Sequence, residues 1–260
     1  MILEGNMRVE IDTHTHTLAS GHAYSTIREM AKAAKDKGLK ALAITEHAPE
    51  MPGSCHLYYF VNLRVMPREL YGIELFFGSE LNIMDSDGHV DLPTSVIKGL
   101  DITIASMHPP CFKGDKTLEE VTRAYINIME REDIDIIGHP DDGRFPVDYE
   151  ELVKAAKRTG TLLEINNSSL KPDGYRSNSK ENALKMLEYC KKYEAMIVLG
   201  SDAHFDAAIA DYPFADEVLE EAQFPTELIA NTSYEKLQSF SFSNQRTGGT
   251  SVELPCFPCS

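Results

Sequence analysis

Tryptophan is absent from this chain of 260 residues, and cysteine is scarce, with five at positions 55, 111, 190, 256 and 259. An odd number of scattered thiols excludes a disulfide framework and fits free cysteines in a reducing compartment, so a cytoplasmic location is expected. No run of about 18 apolar residues exists to span a bilayer, and the stretch from Met1 to Met7 lacks the basic and apolar regions of a secretory signal. Positive charge is also short: 25 Lys and Arg stand against 41 Asp and Glu, a net of −16 with neutral histidine. Such a surface repels nucleic acid and anionic membranes over most of its area. A small molecule is therefore the expected partner, and a homo-oligomer is compatible with the composition. If the ligand is an anion, the sign must be reversed locally, as bound divalent cations would do.

What is present is an alternation of apolar strand and amphipathic helix. Segments 8–13, 39–45, 73–81, 101–106, 134–138, 162–165 and 195–200 read as strands. Thr26 with Glu29 and Thr117 with Glu120 have the spacing of capping boxes, Asp148 with Glu151 opens a further helix, and Gly38 and Gly160 stand where helices stop. Residues 48–71 read as an irregular insertion. Helices are also expected over 179–192 and near 214–222. Seven strands with mostly helical connections favour a parallel sheet, and at this length its closure into a barrel is favoured over an open doubly wound sheet. One domain over residues 1–240 is expected. The tail 241–260, rich in Ser, Gly and Thr and ending Cys256-Phe-Pro-Cys259, reads as a flexible extension in which a lone Cys-x-x-Cys is a weak metal or redox signal.

The chemistry-bearing residues follow the strands. Histidine is used nine times, and three of these fall between Ile11 and His22. His14 and His16 follow the first strand, His47 the second, Glu80 ends the third, His108 the fourth, His139 the fifth, Asn166 and Asn167 the sixth, and Asp202 and His204 the seventh. In a β/α barrel these carboxyl ends converge on one face, so residues far apart in sequence become neighbours. A single histidine in such a loop is usually a surface or hydrogen-bonded residue. The convergence of many, with His14 and His16 on one side of an extended segment and carboxylates at Glu80 and Asp202, points instead to a polynuclear metal site. His56 and His89 fall outside the pattern.

The motifs Asp12-Thr-His-Thr-His16, His22, Thr45-Glu-His47, Gly78-Ser-Glu80, Ser106-Met-His-Pro109, Gly138-His-Pro140 and Gly200-Ser-Asp-Ala-His204 resemble the PHP (polymerase and histidinol phosphatase) superfamily. The resemblance is closest to its stand-alone bacterial phosphatases, through Asn62-Leu-Arg-Val-Met-Pro-Arg68 and Leu163-Glu-Ile-Asn-Asn-Ser-Ser169. It implies an α/β fold, a distorted (β/α)7 TIM-like barrel, with three divalent ions at the carboxyl ends of the strands. By the same resemblance His14, His16, Glu80 and Asp202 hold the first ion, and Glu80 bridges to a second held by His108 and His139. His22, His47 and His204 hold the third. A set of nitrogens and carboxylates without thiolate suits zinc, with manganese or iron as alternatives.

The function expected from this set is hydrolysis of a small phosphorylated metabolite by a metal-activated hydroxide, with Glu80 and Asp202 as the catalytic carboxylates. Arg64 and Arg68 are candidates for substrate oxygens because guanidinium offers a rigid fork, although their spacing also fits a solvated helical turn. Asn166 and Asn167 are candidates for substrate or ligand hydrogen bonds. No serine or cysteine triad is supported, since Cys55 and Cys111 lack a nucleophile-elbow sequence. The alternatives are a histidinol phosphatase or another PHP phosphoesterase, including a nuclease. An amidohydrolase-type C–N hydrolase and a non-enzymatic metal-binding accessory domain rank below these: the third histidine set argues against the former, the complete ligand set and the charge against the latter.

Overall fold

A computed structural model describes residues 9–240. Its strands are β1 (Ile11–Asp12), β2 (Ala41–His47), β3 (Glu69–Leu70), β4 (Ile73–Asn82), β5 (Ile102–Ser106), β6 (Ile136–Ile137), β7 (Leu162–Asn166) and β8 (Ile197–Gly200). Its helices are α1 (Ile27–Asp36), α2 (Leu57–Asn62), α3 (Thr94–Ile97), α4 (Leu118–Met129), α5 (Tyr149–Thr159), α6 (Ser179–Tyr193), α7 (Pro213–Glu221) and α8 (Tyr234–Ser239). Seven strands run parallel in the order β1-β2-β4-β5-β6-β7-β8, and β3 pairs antiparallel with β4. The insertion expected to be irregular thus contains α2 and β3. The expected tail and its Cys256 and Cys259 lie outside the described residues. Cys55, Cys111 and Cys190 are free thiols.

Local chemistry starts and stops the helices as expected, with one exception. Thr26 and Glu29 form a full capping box at α1, and Asp148 accepts from the N–H groups of Glu150 and Glu151 at α5, which ends at Gly160 with φ 79°. At α4 only half of the expected box forms. Thr117 accepts from Glu120 N–H, but the Glu120 carboxylate pairs with Arg123 at 2.7 Å, where an opposite charge one turn away outcompetes a neutral N–H.

The sheet closes on itself. β8 rejoins β1 through the Thr15–Ala203 bridge, flanked by bonds from His16 N–H to Ala203 O and from Asp202 N–H to His14 O, both 2.9 Å. Nearer the strands' amino ends no ladder joins the two, and Asn231 stands between them. Its Nδ2 donates to Ile11 O and Leu199 O, and its Oδ1 accepts from Leu199 N–H. Each buried backbone group so satisfied avoids a penalty of about 1–3 kcal/mol.

Alternate residues of a strand share a face, and here one face changes character along its length. Ala41 and Ala43 on β2, Ile102 and Ile104 on β5, and Leu162 on β7 pack in one apolar cluster beneath Leu237 of α8. Continuing the same alternation gives Thr45 and His47, then Ser106 and His108, then Glu164 and Asn166, all buried. The amino-terminal half of the barrel is an apolar plug, and the carboxyl-terminal half is polar. A distorted seven-unit β/α barrel with its chemistry at the carboxyl face is the fold expected from the sequence.

Candidate metal centre

His47 ends β2 and stands directly across from Glu80 of β4 in the ladder register. From there Glu80 reaches both sides of the barrel mouth. Its Oε1 lies 2.9 Å from His139 Nε2 and 3.2 Å from His108 Nε2, and its Oε2 lies 2.6 Å from His47 Nδ1 and 3.5 Å from the Nε2 atoms of both His14 and His16. Asp202 Oδ1 is 3.3 Å from His16 Nε2 and 3.7 Å from His14 Nε2. His22 Nε2 is 3.2 Å from His47 Nε2, and the His204 ring lies 4.5 Å from that of His16 and 4.9 Å from that of His22. The donor atoms fall into overlapping sets: His14, His16 and Glu80; His47, Glu80 and His108; His16, His47 and His204. His16 and His47 are thus each shared between two sets, where the resemblance gave each a single role.

Four of the rings have Nδ1 engaged, three by groups outside the ligand set and one by the Asp202 backbone. His14 Nδ1 faces Glu164 Oε1 at 2.7 Å, His108 Nδ1 faces Asn82 Oδ1 at 2.7 Å, His16 Nδ1 faces Ser20 Oγ at 3.1 Å, and His204 Nδ1 faces Asp202 O at 3.0 Å. With Nδ1 occupied as a donor, each ring turns Nε2 inward as a lone pair. Ser20 Oγ in turn donates to Glu46 Oε2 at 2.6 Å. Gly200 makes the His14–Glu164 pair sterically feasible, because a Cβ there would lie 1.9 Å from Glu164 Oε1. Two site residues adopt the left-handed backbone without being glycine, His139 at φ 30° and Asp202 at φ 53°. The bonds from His139 N–H to Glu164 Oε2 and from Asp202 N–H to His14 O hold that strain in place.

These donors fit divalent cations. Inward lone pairs face one another, as in His14 Nε2 and His16 Nε2 at 3.0 Å, which repel unless a proton or a cation lies between them. Glu80 Oε2 and His47 Nδ1 are buried and close, yet neither makes a hydrogen bond. Burial raises the Glu80 and Asp202 carboxyls, but the surrounding imidazoles outweigh it and hold both well below the usual carboxylate range. Burial, reinforced by neighbouring imidazoles, lowers His16 and His22; it also lowers His108 despite Glu80. On His14 burial is overcome by the carboxylates of Glu164, Glu80 and Asp202, which raise it well above the ordinary imidazole value. Ionised carboxylates and neutral imidazoles are the protonation states that bind metal, and at His14 a cation would have to displace the proton that these carboxylates hold there.

Of the other residues singled out from the sequence, Asn166 joins the site: its Nδ2 lies 3.1 Å from Glu164 Oε2 and 3.3 Å from Asp202 Oδ2. Asn167 lines the adjoining cavity, with Oδ1 accepting from the N–H groups of Phe214 and Ala215. Arg68 is not brought to the cluster. Its guanidinium pairs with Asp101 and lies over the Phe77 ring. Arg64 is exposed on the short turn after α2. His56 caps α2 and His89 pairs with Asp85, both away from the cluster. Burial pushes the Cys55 and Cys111 thiols up to about 12, which leaves them inert at neutral pH.

The sequence reading passed over Glu164, Glu46 and Arg176. The signal for the first two was an acid inside an otherwise apolar strand. Arg176 gave none, since a lone arginine in a polar loop is ordinary; its side chain is nevertheless buried, with Nη1 and Nη2 each 3.4 Å from Asp202 Oδ2 and with Nε unpartnered. Burial opposes its charge, and Asp202 together with Tyr175, Asp141 and Glu80 outweighs that penalty. No helix among the described residues is long and apolar enough to cross a membrane.

Residues 12–234 match the PHP domain family. A protein of Clostridium novyi named a probable phosphatase is 45% identical over 234 residues, covering 90% of this chain and 95% of that one. Among solved structures, histidinol phosphate phosphatase from Lactococcus lactis, in complex with zinc, L-histidinol and phosphate, is similar with a TM-score of 0.56 at 18% identity, covering 83% of this chain and 94% of that one. A chain of an archaeal ribonuclease P complex is similar with a TM-score of 0.52 at 14% identity, covering 96% and 100%. The histidine and carboxylate cluster lies within the matched span, and the chain belongs to the PHP domain family as a metal-dependent phosphatase.

Proposed function

We propose that the protein hydrolyses a small phosphomonoester at a centre of three divalent ions held by His14, His16, His22, His47, Glu80, His108, His139, Asp202 and His204, within a catalytic domain spanning residues 1–240. The observation that carries this reading is the reach of one carboxylate: Glu80 presents Oε1 to His108 and His139 and Oε2 to His47, His14 and His16. When bound, the ions supply an activated water as nucleophile and neutralise charge on the phosphate.

The chain's own groups then have distinct tasks. Arg176 is buried beside Asp202 with its Nε free, and its fork binds a phosphate oxygen where Arg64 and Arg68 do not reach. Asp202 Oδ2 is turned away from His14 and His16, towards Arg176 and Asn166. In this reading Asp202, or a water on the ions, accepts the proton lost by the attacking water and returns it to the departing alkoxide. Asn166 orients Asp202 and Glu164 through its single amide.

Histidinol phosphate is one member of the substrate class; the likeness to its phosphatase speaks to the fold. A nuclease reading is disfavoured by the net charge of −16. The test is to reconstitute the purified protein with zinc, manganese or iron, count metal and follow phosphate release from a panel of phosphorylated metabolites. Near three metal equivalents with release from small esters is expected. One equivalent or fewer at saturation, or faster hydrolysis of single-stranded DNA than of every small ester, overturns the reading.

A further inference from the structure

Beside His22, Asp202 and His204 the barrel mouth opens into a cavity of about 400 Å3, in the size range of pockets that enclose a whole small molecule. Bare phosphate with a short aliphatic chain would leave much of it empty. Tyr175, Phe205 and Phe214 line it, and the first two are 72% and 53% exposed. The Tyr175 ring is pinned, with the guanidinium groups of Arg144 and Arg176 at 5.1 and 5.2 Å from its centroid, and Asp142 clamps Arg144 in turn. Phe205 follows His204, whose carbonyl accepts from Tyr24 N–H at 2.9 Å. The Tyr175 ring, held in advance, loses little entropy on stacking against a ligand.

The polar groups of the cavity add direction. Asn167 Oδ1 accepts from the N–H groups of Phe214 and Ala215 at 3.0 and 3.1 Å. Those two donors require the oxygen on that side, so the orientation of the amide is settled and its Nδ2 is a donor with no partner among the described residues. The residue is 5% exposed and lines the cavity. Asp211 and Lys171 stand at the rim, exposed and without an ion pair among the described residues. A stacking wall, a buried amide donor and a carboxylate suited to a ribose diol match one ligand chemistry.

We propose that this cavity takes the nucleoside half of a nucleoside monophosphate, with the base against Tyr175 and Phe205, Asn167 donating to the base and Asp211 accepting from the ribose hydroxyls. The proposal rests on the phosphomonoesterase reading above. Water forms the new P–O bond, the ester P–O bond breaks, and the alkoxide leaves with the proton the water lost, giving nucleoside and inorganic phosphate.

The test compares adenosine 5′-monophosphate with ribose 5-phosphate on the metal-reconstituted protein, since the two share the scissile ester and differ only in the base. Calorimetric titration with adenosine gives a second readout independent of turnover. A kcat/KM ratio of about tenfold or more is expected from one stacked base. That ratio should collapse towards unity in the Tyr175→Ala/Phe205→Ala double variant, with loss of adenosine binding. Asp211→Asn should narrow the preference for the ribo- over the 2′-deoxynucleotide. A ratio near unity in the unaltered protein, or undetectable adenosine binding, overturns the proposal. Adenosine binding that depends on Phe205, without phosphate release from any ester, supports the cavity assignment and overturns the phosphomonoesterase reading instead.

Discussion

Nδ1 of His14 lies 2.7 Å from Oε1 of Glu164, 150 positions further along the chain, and both side chains are fully buried. The other oxygen of the same carboxylate accepts from His139 N–H at 2.8 Å. Glu164 therefore sets the tautomer of one candidate ligand and the backbone of another. Glu164→Gln keeps the volume but removes the charge, and a loss of about 10–100-fold in metal affinity is expected. Competition with a chelator of known affinity measures it, and wild-type affinity would exclude the orienting role.

Glu80→Gln is expected to lower turnover more than His22→Ala. Glu80 lies within 3.5 Å of five imidazoles, whereas His22 is exposed at the edge of the cluster. The charge at the centre holds several cations together, so its removal should cost more than one equivalent of metal. Full metal content with near-normal kcat would contradict the bridge.

Arg176→Lys preserves charge and loses the fork, and should raise KM more than it lowers kcat if the group binds substrate and transition state alike. Arg68→Ala, by contrast, should leave KM close to wild type, because that guanidinium is engaged with Asp101. A larger KM effect at Arg68 than at Arg176 would return substrate contact to the insertion.

Asp216, in the first turn of α7, is pushed up to about 6 by burial and by the carboxylates of Glu220 and Asp211. The folded chain holds this proton more tightly than the unfolded chain, whose value is near 3.8. Stability contributed here is therefore present below that lower value and is lost as pH rises towards 6. Asp216→Asn removes the loss and should stabilise the protein by about 1 kcal/mol at pH 7, once solvent screening at this half-exposed position is allowed for. Denaturant unfolding at pH 4 and pH 7 checks it; a gain at pH 4 equal to that at pH 7 would rule out the charge as its cause.

Metal removal should lower Tm, because the buried carboxylates of Glu80 and Asp202 and the inward lone pairs of several histidines are then left facing one another. Thermal scans with chelator and with added zinc or manganese should move Tm in opposite directions, by an amount that grows with metal concentration. A Tm insensitive to both would show that the cluster is stable without cations.

Much of the site was legible because strand and helix signals are local and most candidate ligands stand at or just beyond the carboxyl end of a strand. The run at β2 is an example: the apolar stretch 39–45 identifies a strand and puts His47 at its carboxyl end without reference to any other part of the chain. Glu120 shows the limit at short range, since Arg123 takes its carboxylate from the expected box. Arg64 and Arg68 show it at long range, because the spacing of two arginines says nothing about Asp101, which lies 33 positions beyond Arg68.

By itself the sequence determined the strand and helix alternation, the polar residues at the strands' carboxyl ends and the excess of negative charge, all properties of single segments or of the whole composition. Only the tertiary structure decided that β8 returns to β1 with Asn231 filling the seam, that Glu164 turns His14, and that Arg176 is buried against Asp202. Closure brings together groups 26 to 220 positions apart. Their contacts depend on barrel curvature and on the room left at Gly200, quantities that arise only when all seven strands pack at once.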